Sequence, residues 1–377
     1  MYIHGHKIGL NCSRRSVGLS VLIIVLFILL LNLFFVDPVR GETAVAAPRG
    51  VLANGVDGNI VISWEPVKGA YGYEIFEKSP DDEEFLKVKR TRGTKAVLPN
   101  HTRKKVYVYK IRTIMDGPGK KIYSSFSREA VTSTAPAGSR TTLKNFLTTA
   151  MAPVGNTMYI WGGGWYTKWK NKGSDGAWIG LNPTWRSYAA GRPASFNYRR
   201  VRYKTGYGLD CSGFVGWVTY NTMKTQSAVR GRGFVGKSTL MAKRYAGYGW
   251  GSYRKAALVR NYRAGDIMST SGHVYIVIGE CDDGSVVLVH ASPPGVQLCG
   301  TVSGTGSRNS QAVKLARKYR EKYYKSWQKR FPSCVCPPAF LRKYNQFRWN
   351  LSSGNIMSDP DGYRNMVPEE ILRDLFE

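Results

Sequence analysis

Negative charge is what this sequence has least of. Its 377 residues carry 25 Asp+Glu against 55 Lys+Arg, a net charge of +30. Such an imbalance points toward polyanionic surroundings or a broadly solvated basic surface, and says nothing about fold. Histidine is also scarce, with five residues, and cysteine numbers six. Any chemistry built on imidazole or thiol therefore has few residues to draw on. No internal repeat appears, which excludes solenoids and arrays. Low complexity is confined to one short segment, and a hydrophobic content of 43% with 12% aromatics excludes a disordered tail. The length suits two domains and a targeting segment.

That segment comes first. Residues 17–36 read VGLSVLIIVLFILLLNLFFV, an uncharged run long enough to cross a bilayer as a helix. Lys7, Arg14 and Arg15 precede it and only Arg40 follows closely. Residues 1–16 are thus expected to be a cytoplasmic basic segment, with the rest of the chain outside. The run is either a retained signal anchor or a long signal peptide cut near Ala44-Val45-Ala46. Outside the cell the available polyanions are anionic wall polymers and lipid head groups, so no nucleic-acid partner is expected. Cys281, Cys299, Cys334 and Cys336 are compatible with disulfides there, without their spacing fixing a pairing.

Residues 47–133 read as a small all-β unit. Asn59-Ile-Val-Ile-Ser-Trp64, Tyr71-Gly-Tyr-Glu-Ile-Phe-Glu77 and Val106-Tyr-Val-Tyr-Lys-Ile-Arg112 alternate as strands, with turn residues between them. The stretch resembles a fibronectin type III sandwich, with Trp64 in the place of the core tryptophan and Tyr107 in that of the corner tyrosine. By that resemblance it is read as a spacer. Residues 134–140 form a Pro- and Gly-containing linker.

The remainder, 141–377, mixes signals. Phe214, Val215, Trp217 and Val218 favour a buried helix starting near Cys211, and a basic helical pattern runs over 312–329. Asp266-Ile-Met-Ser, Val274-Tyr-Ile-Val-Ile278, Val286-Val-Leu-Val289 and Gly295-Val-Gln-Leu298 are short β runs. A helix followed by adjacent strands gives an α+β class. Only two histidines, His273 and His290, fall in this part, both at strand edges. Cys211 opens the helix, where free N–H groups and the dipole lower a thiol pKa toward the reactive range and offer part of an oxyanion hole. A nearby imidazole would complete a thiolate–imidazolium pair.

Tyr159-Ile-Trp-Gly-Gly163, Asp210-Cys-Ser-Gly-Phe214, Gly265-Asp-Ile267, Gly272-His-Val274 and His290-Ala-Ser292, in that order, resemble the NlpC-type cell-wall cysteine peptidases over most of 141–298. The resemblance implies a papain-like α+β catalytic domain that hydrolyses peptide bonds in peptidoglycan stems, typically between γ-linked D-glutamate and a diamino acid. Cys211 would be the nucleophile, His273 the general base and acid, and His290 the residue orienting it. Tyr159, Asp210 and Ser212 would contribute to substrate binding, Asp210 serving also as a helix N-cap. No cofactor or metal is required. The chain departs from the family in an aromatic and Arg-rich insert, 164–208, and an extension, 300–377.

Two other motifs weigh less. Gly231-Arg-Gly-Phe-Val-Gly-Lys-Ser238 fits a phosphate-loop pattern but lacks the apolar strand that must precede it. A metal site from Cys211, His273, His290 and a further ligand lacks zinc-type pair spacing. The rival functional readings are a non-catalytic wall-binding scaffold, and an amidase or acyltransferase on the same fold.

Overall fold

The computed structural model describes residues 45–376 apart from 57, 80, 103–105, 134–139, 166–176, 204, 224, 226–229 and 232. The expected basic segment and membrane span, 1–36, and nearly all of the linker lie outside the described residues. Among the described residues no helix is long and apolar enough to cross a membrane.

The alternating runs form the expected strands. They are β1 (Leu52–Val56), β2 (Asn59–Ser63), β3 (Gly72–Lys78), β4 (Leu86–Thr91), β5 (Lys95–Leu98), β6 (Val106–Gly117), β7 (Lys120–Tyr123) and β8 (Ala130–Ser133). One sheet has the order β1-β2-β5 and the other β4-β3-β6-β7, with β8 also pairing with β6. Inward-facing Ile60, Ile62, Ile75, Tyr109 and Ile111 are fully buried between them. Trp64 meets Tyr73 edge-on at 5.3 Å, and the Tyr107 hydroxyl accepts from Thr102 N at 3.0 Å. These two contacts are the core tryptophan and tyrosine corner that the sequence placed there. Edge strand β4 is exposed along most of its length and carries Lys87, Lys89 and Arg90, charges that discourage further strand pairing.

The rest of the chain builds a second domain on one mixed sheet and two small strand pairs. Its strands are β9 (Thr141–Thr142), β10 (Met158–Tyr159), β11 (Ala177–Trp178), β12 (Gly208–Leu209), β13 (Arg230–Gly231), β14 (Gly251–Arg254), β15 (Ile267–Thr270), β16 (His273–Glu280), β17 (Val286–Ser292), β18 (Gly295–Thr301), β19 (Val335–Cys336), β20 (Asn345–Trp349) and β21 (Met357–Ser358). The main sheet runs β12-β10-β18-β17-β16-β15-β20-β14, with β19 beside β18; β11–β13 and β9–β21 are separate pairs. Helices are α1 (Leu143–Met151), α2 (Pro183–Ala190), α3 (Cys211–Thr222), α4 (Met241–Gly247), α5 (Gln311–Tyr323), α6 (Lys325–Arg330), α7 (Ala339–Arg342) and α8 (Pro368–Phe376).

Every residue of α3 is buried, which is why its sequence reads as a bulky run instead of an amphipathic stripe. It packs on one sheet face, against Val274, Ile276, Ile278, Val287, Val289 and Ala291. The expected 312–329 helix is two helices, interrupted at Tyr324. The extension is part of the sheet and not an appendage to it. Strand β20 lies between β15 and β14, and buried Asp266 on the turn before β15 ties it in through Arg348 (2.9 and 2.6 Å) and Gln346 (3.0 Å).

The sandwich packs directly on this domain through the insert. Val61 joins Ala177, Ile179 and Tyr220 in one buried cluster. Lys95 Nζ donates to Ile179 O at 2.5 Å, Leu181 N to Ser63 Oγ at 3.0 Å, and Arg186 faces Glu65 at 3.5 Å.

Candidate active site

The site starts from how α3 begins. Asp210 is its N-cap, with Oδ1 accepting from Gly213 N at 2.6 Å. The same carboxylate accepts from Ser212 Oγ (2.9 Å), Gly162 N (3.1 Å) and Trp165 Nε1 (3.3 Å), and Trp165 Nε1 also reaches Ser212 Oγ at 3.1 Å. Gly213 is required by a close approach: a Cβ there would come within 1.8 Å of Gly163 O. The Trp-Gly-Gly and Asp-Cys-Ser-Gly segments are therefore two halves of one tight junction that holds Cys211 as the first helical residue. Burial pushes the Asp210 carboxyl up to about 6 against the pull of its four donors.

The Cys211 sulfur lies on the backbone of β16, 3.8 Å from Gly272 O, with the Val274 N–H on the other side of His273. Gly272 has φ +86°, a conformation that glycine adopts without strain, and its N–H donates to Ser238 Oγ at 3.1 Å. Ser238, the last residue of the phosphate-loop look-alike, thus supports the turn before His273.

The thiol corrects one sequence expectation. Helix-terminal position and neighbouring N–H groups do pull its pKa down, but burial outweighs them and the adjacent Asp210 carboxylate adds to the rise, to about 12. His273 is held well below the usual imidazole range by burial and by His290 beside it. At neutral pH the pair rests as thiol and neutral imidazole, not as thiolate and imidazolium. The sulfur's hydrogen bond goes to the Gly272 carbonyl and not to the ring.

The two histidines do meet: His273 Nε2 lies 3.0 Å from His290 Nδ1, so one proton is shared along that line. His273 Nδ1 is the nitrogen left over. Their rings are walled by Phe340, whose centroid lies 5.4 Å from His273 and 5.9 Å from His290, and by Tyr344, 6.3 Å from His273. His273 keeps partial exposure while His290 is buried. Phe340 and Tyr344 come from the extension, and nothing local in the sequence marked them. A strand-forming Asn345–Trp349 following them was the available signal.

Tyr159 sits beside Cys211 and Asp210 and is nearly enclosed, with Tyr198 of the insert edge-on at 5.3 Å. Tyr159, Asp210 and Ser212 are thus gathered around Cys211, as expected. Asp210 and Ser212 spend their polar atoms on the junction itself. Within the insert, Trp185 packs on Trp217 at 5.4 Å as core, while Trp165 meets Ser212 and Tyr198 meets Tyr159.

No protein-family model and no curated protein matches the chain. Among solved structures, an Fn3-like protein from Clostridium thermocellum matches at 18% identity, covering 25% of this chain and 96% of that one, TM-score 0.22. The β-1,2-glucanase from Parabacteroides distasonis matches at 20%, covering 29% and 15%, TM-score 0.21. Titin kinase with its flanking domains matches at 21%, covering 30% and 20%, TM-score 0.21. The chain is α+β, and the match to the Fn3-like protein covers a quarter of its length.

Proposed function

We propose that this chain is an exported cysteine endopeptidase that hydrolyses peptidoglycan stem peptides, at the bond between γ-D-glutamate and a diamino acid. The observation that carries the reading is the meeting of three residues singled out by type and order: Cys211 at the start of α3, its sulfur on the β16 backbone at His273, and His273 hydrogen-bonded to His290. The resemblance to NlpC-type peptidases supports the substrate class.

Because thiol and imidazole both rest neutral, the first step couples proton transfer to attack. The Cys211 thiol turns from the Gly272 carbonyl toward His273, whose Nδ1 takes the proton as sulfur bonds to the amide carbon. The N–H groups of Cys211 and Ser212 face the developing oxyanion. His273 then gives its proton to the leaving amine and the C–N bond breaks. Water, deprotonated by the same nitrogen, attacks the thioester, the C–S bond breaks and the thiol is restored. His290 Nδ1 holds the His273 Nε2 proton throughout and so keeps the working tautomer. The basic surface suits anionic wall polymers, and residues 17–36 suit attachment to the membrane.

Replacement of Cys211 by Ala should abolish release of wall peptide fragments, read by mass spectrometry, with an unchanged circular dichroism spectrum. Unaltered release would end the proposal. The near-enclosed sulfur favours one second reading, a wall-binding protein without turnover. It would pull down intact wall and release nothing from it. The termini of released fragments also separate an endopeptidase from an amidase or acyltransferase.

A further inference from the structure

Behind the catalytic histidines, on the sheet face away from α3, three buried side chains converge: His290 from β17, Cys299 from β18 and Cys336 from β19. One ring nitrogen of His290 and the two sulfurs lie within 4.8 Å of one another, and Nδ1 already meets His273, which leaves Nε2 for the sulfurs. Each residue is at most 4% exposed, and His290 Nε2 has no hydrogen-bond partner. Two thiols alone would be ordinary core. An imidazole nitrogen buried beside them without a partner is not, because burying a polar atom unsatisfied is costly unless something takes its lone pair.

We propose that His290, Cys299 and Cys336 form a zinc site whose occupancy switches the Cys211–His273 pair off. Two thiolates and one imidazole are a donor set that zinc favours over hard cations. Zn–S and Zn–N bonds place such ligand atoms about 3.3–3.8 Å apart, so closure onto the ion needs little movement. The frame is already built. The three residues sit on adjacent hydrogen-bonded strands, with Thr301 paired to Cys336 and Leu288 to Cys299. Buried Arg320 grips the segment leading to Cys336, donating to Ser333 O at 2.9 Å and to Phe331 O. Cys334 faces away, toward Val313 O, and is not a ligand.

The coupling follows from proton positions. Zinc takes the Nε2 lone pair of His290, and binding releases the two thiol protons to solvent. The remaining His290 proton must then sit on Nδ1 and be donated to His273 Nε2. That moves the His273 proton to Nδ1, where the lone pair for Cys211 would have been. Without zinc, Nε2 carries the His290 proton, Nδ1 accepts from His273, and His273 Nδ1 is free to act as base. The site itself stands on the cluster geometry, and only the switching half rests on the peptidase reading.

The test uses the full chain, purified under reductant, stripped with a chelator and titrated with Zn2+ against a chromophoric competitor. One ion per chain is expected. Cys299→Ser and Cys336→Ser, each nearly isosteric, should weaken binding at least tenfold. Cys281→Ser and Cys211→Ala should not change it, and Co2+ should give a sulfur-to-metal charge-transfer band that Cys299→Ser removes. Binding that survives both serine variants, or a reduced chain that takes up no zinc, overturns the site. Because Cys211→Ala is scored by metal content alone, failure of the peptidase reading leaves this result interpretable. If the wild-type chain hydrolyses wall peptides, one equivalent of zinc should reduce the rate at least tenfold and leave Cys299→Ser unaffected; equal inhibition of both overturns the switch.

Discussion

The two faces of the main sheet treat the same strand differently. Toward α3, β16 offers Val274, Ile276 and Ile278 to a close-packed apolar core, and the thiol arrives there on a rigid helix start. On the other face the same strand offers His273, Tyr275 and Val277 to a wall of aromatics and cysteines, with Phe340 and Tyr344 at its centre. The thiol is thus placed by packing and the imidazole by a polar contact, and they come together where the strand begins, at Gly272. A site divided this way can lose its base without losing its fold, whereas disturbing the thiol side disturbs the core.

The sharpest way to break that contrast is His273→Ala. Hydrolysis should fall about 10³-fold, the scale of a lost general base, with a melting temperature close to that of the parent; equal loss of fold would erase the distinction. On the thiol face, Gly213→Ala should cost about 1–3 kcal/mol, because the added Cβ meets Gly163 O at 1.8 Å and outweighs the helix preference of alanine. Chemical denaturation reads this directly, and a neutral or stabilising result would mean that the junction is slack. The pH dependence of alkylation comes next. With the Cys211 thiol raised to about 12, its ionised fraction in the folded chain climbs about tenfold per pH unit from 7 to 10. Peptide-resolved iodoacetamide labelling should follow without a plateau, and an inflection below pH 8.5 would restore a preformed thiolate. The smallest effect belongs to Ser238→Ala, which removes the acceptor of Gly272 N–H and should lower kcat less than tenfold, in line with about 1 kcal/mol for one exposed hydrogen bond.

What the sequence disclosed follows a physical divide. Period-2 alternation named β2, β3 and β6, and Trp64 and Tyr107 kept their places because each satisfies a local requirement, a core volume and a corner hydrogen bond. The start of α3 was legible from Asp210 and the bulky run after it. The thiol pKa was not, since it depends on burial contributed by segments scattered through the chain. Strand β20 was hidden for a related reason: Gln346 and Arg348 look like surface residues until Asp266, about 80 positions earlier, supplies their partner. Cys299 and Cys336 were visible only as possible disulfide partners, because their shared neighbour His290 belongs to another strand.

The placement of β20 has a consequence in time. The strand that completes the sheet beside β15 pairs across a long separation, Arg348 meeting Asp266, 82 positions earlier. Until that pairing forms, β15 has a bare edge and Asp266 lacks its Arg348 counter-charge. Closing so long a loop costs entropy, so the imidazole of His273 gains its aromatic wall late in folding.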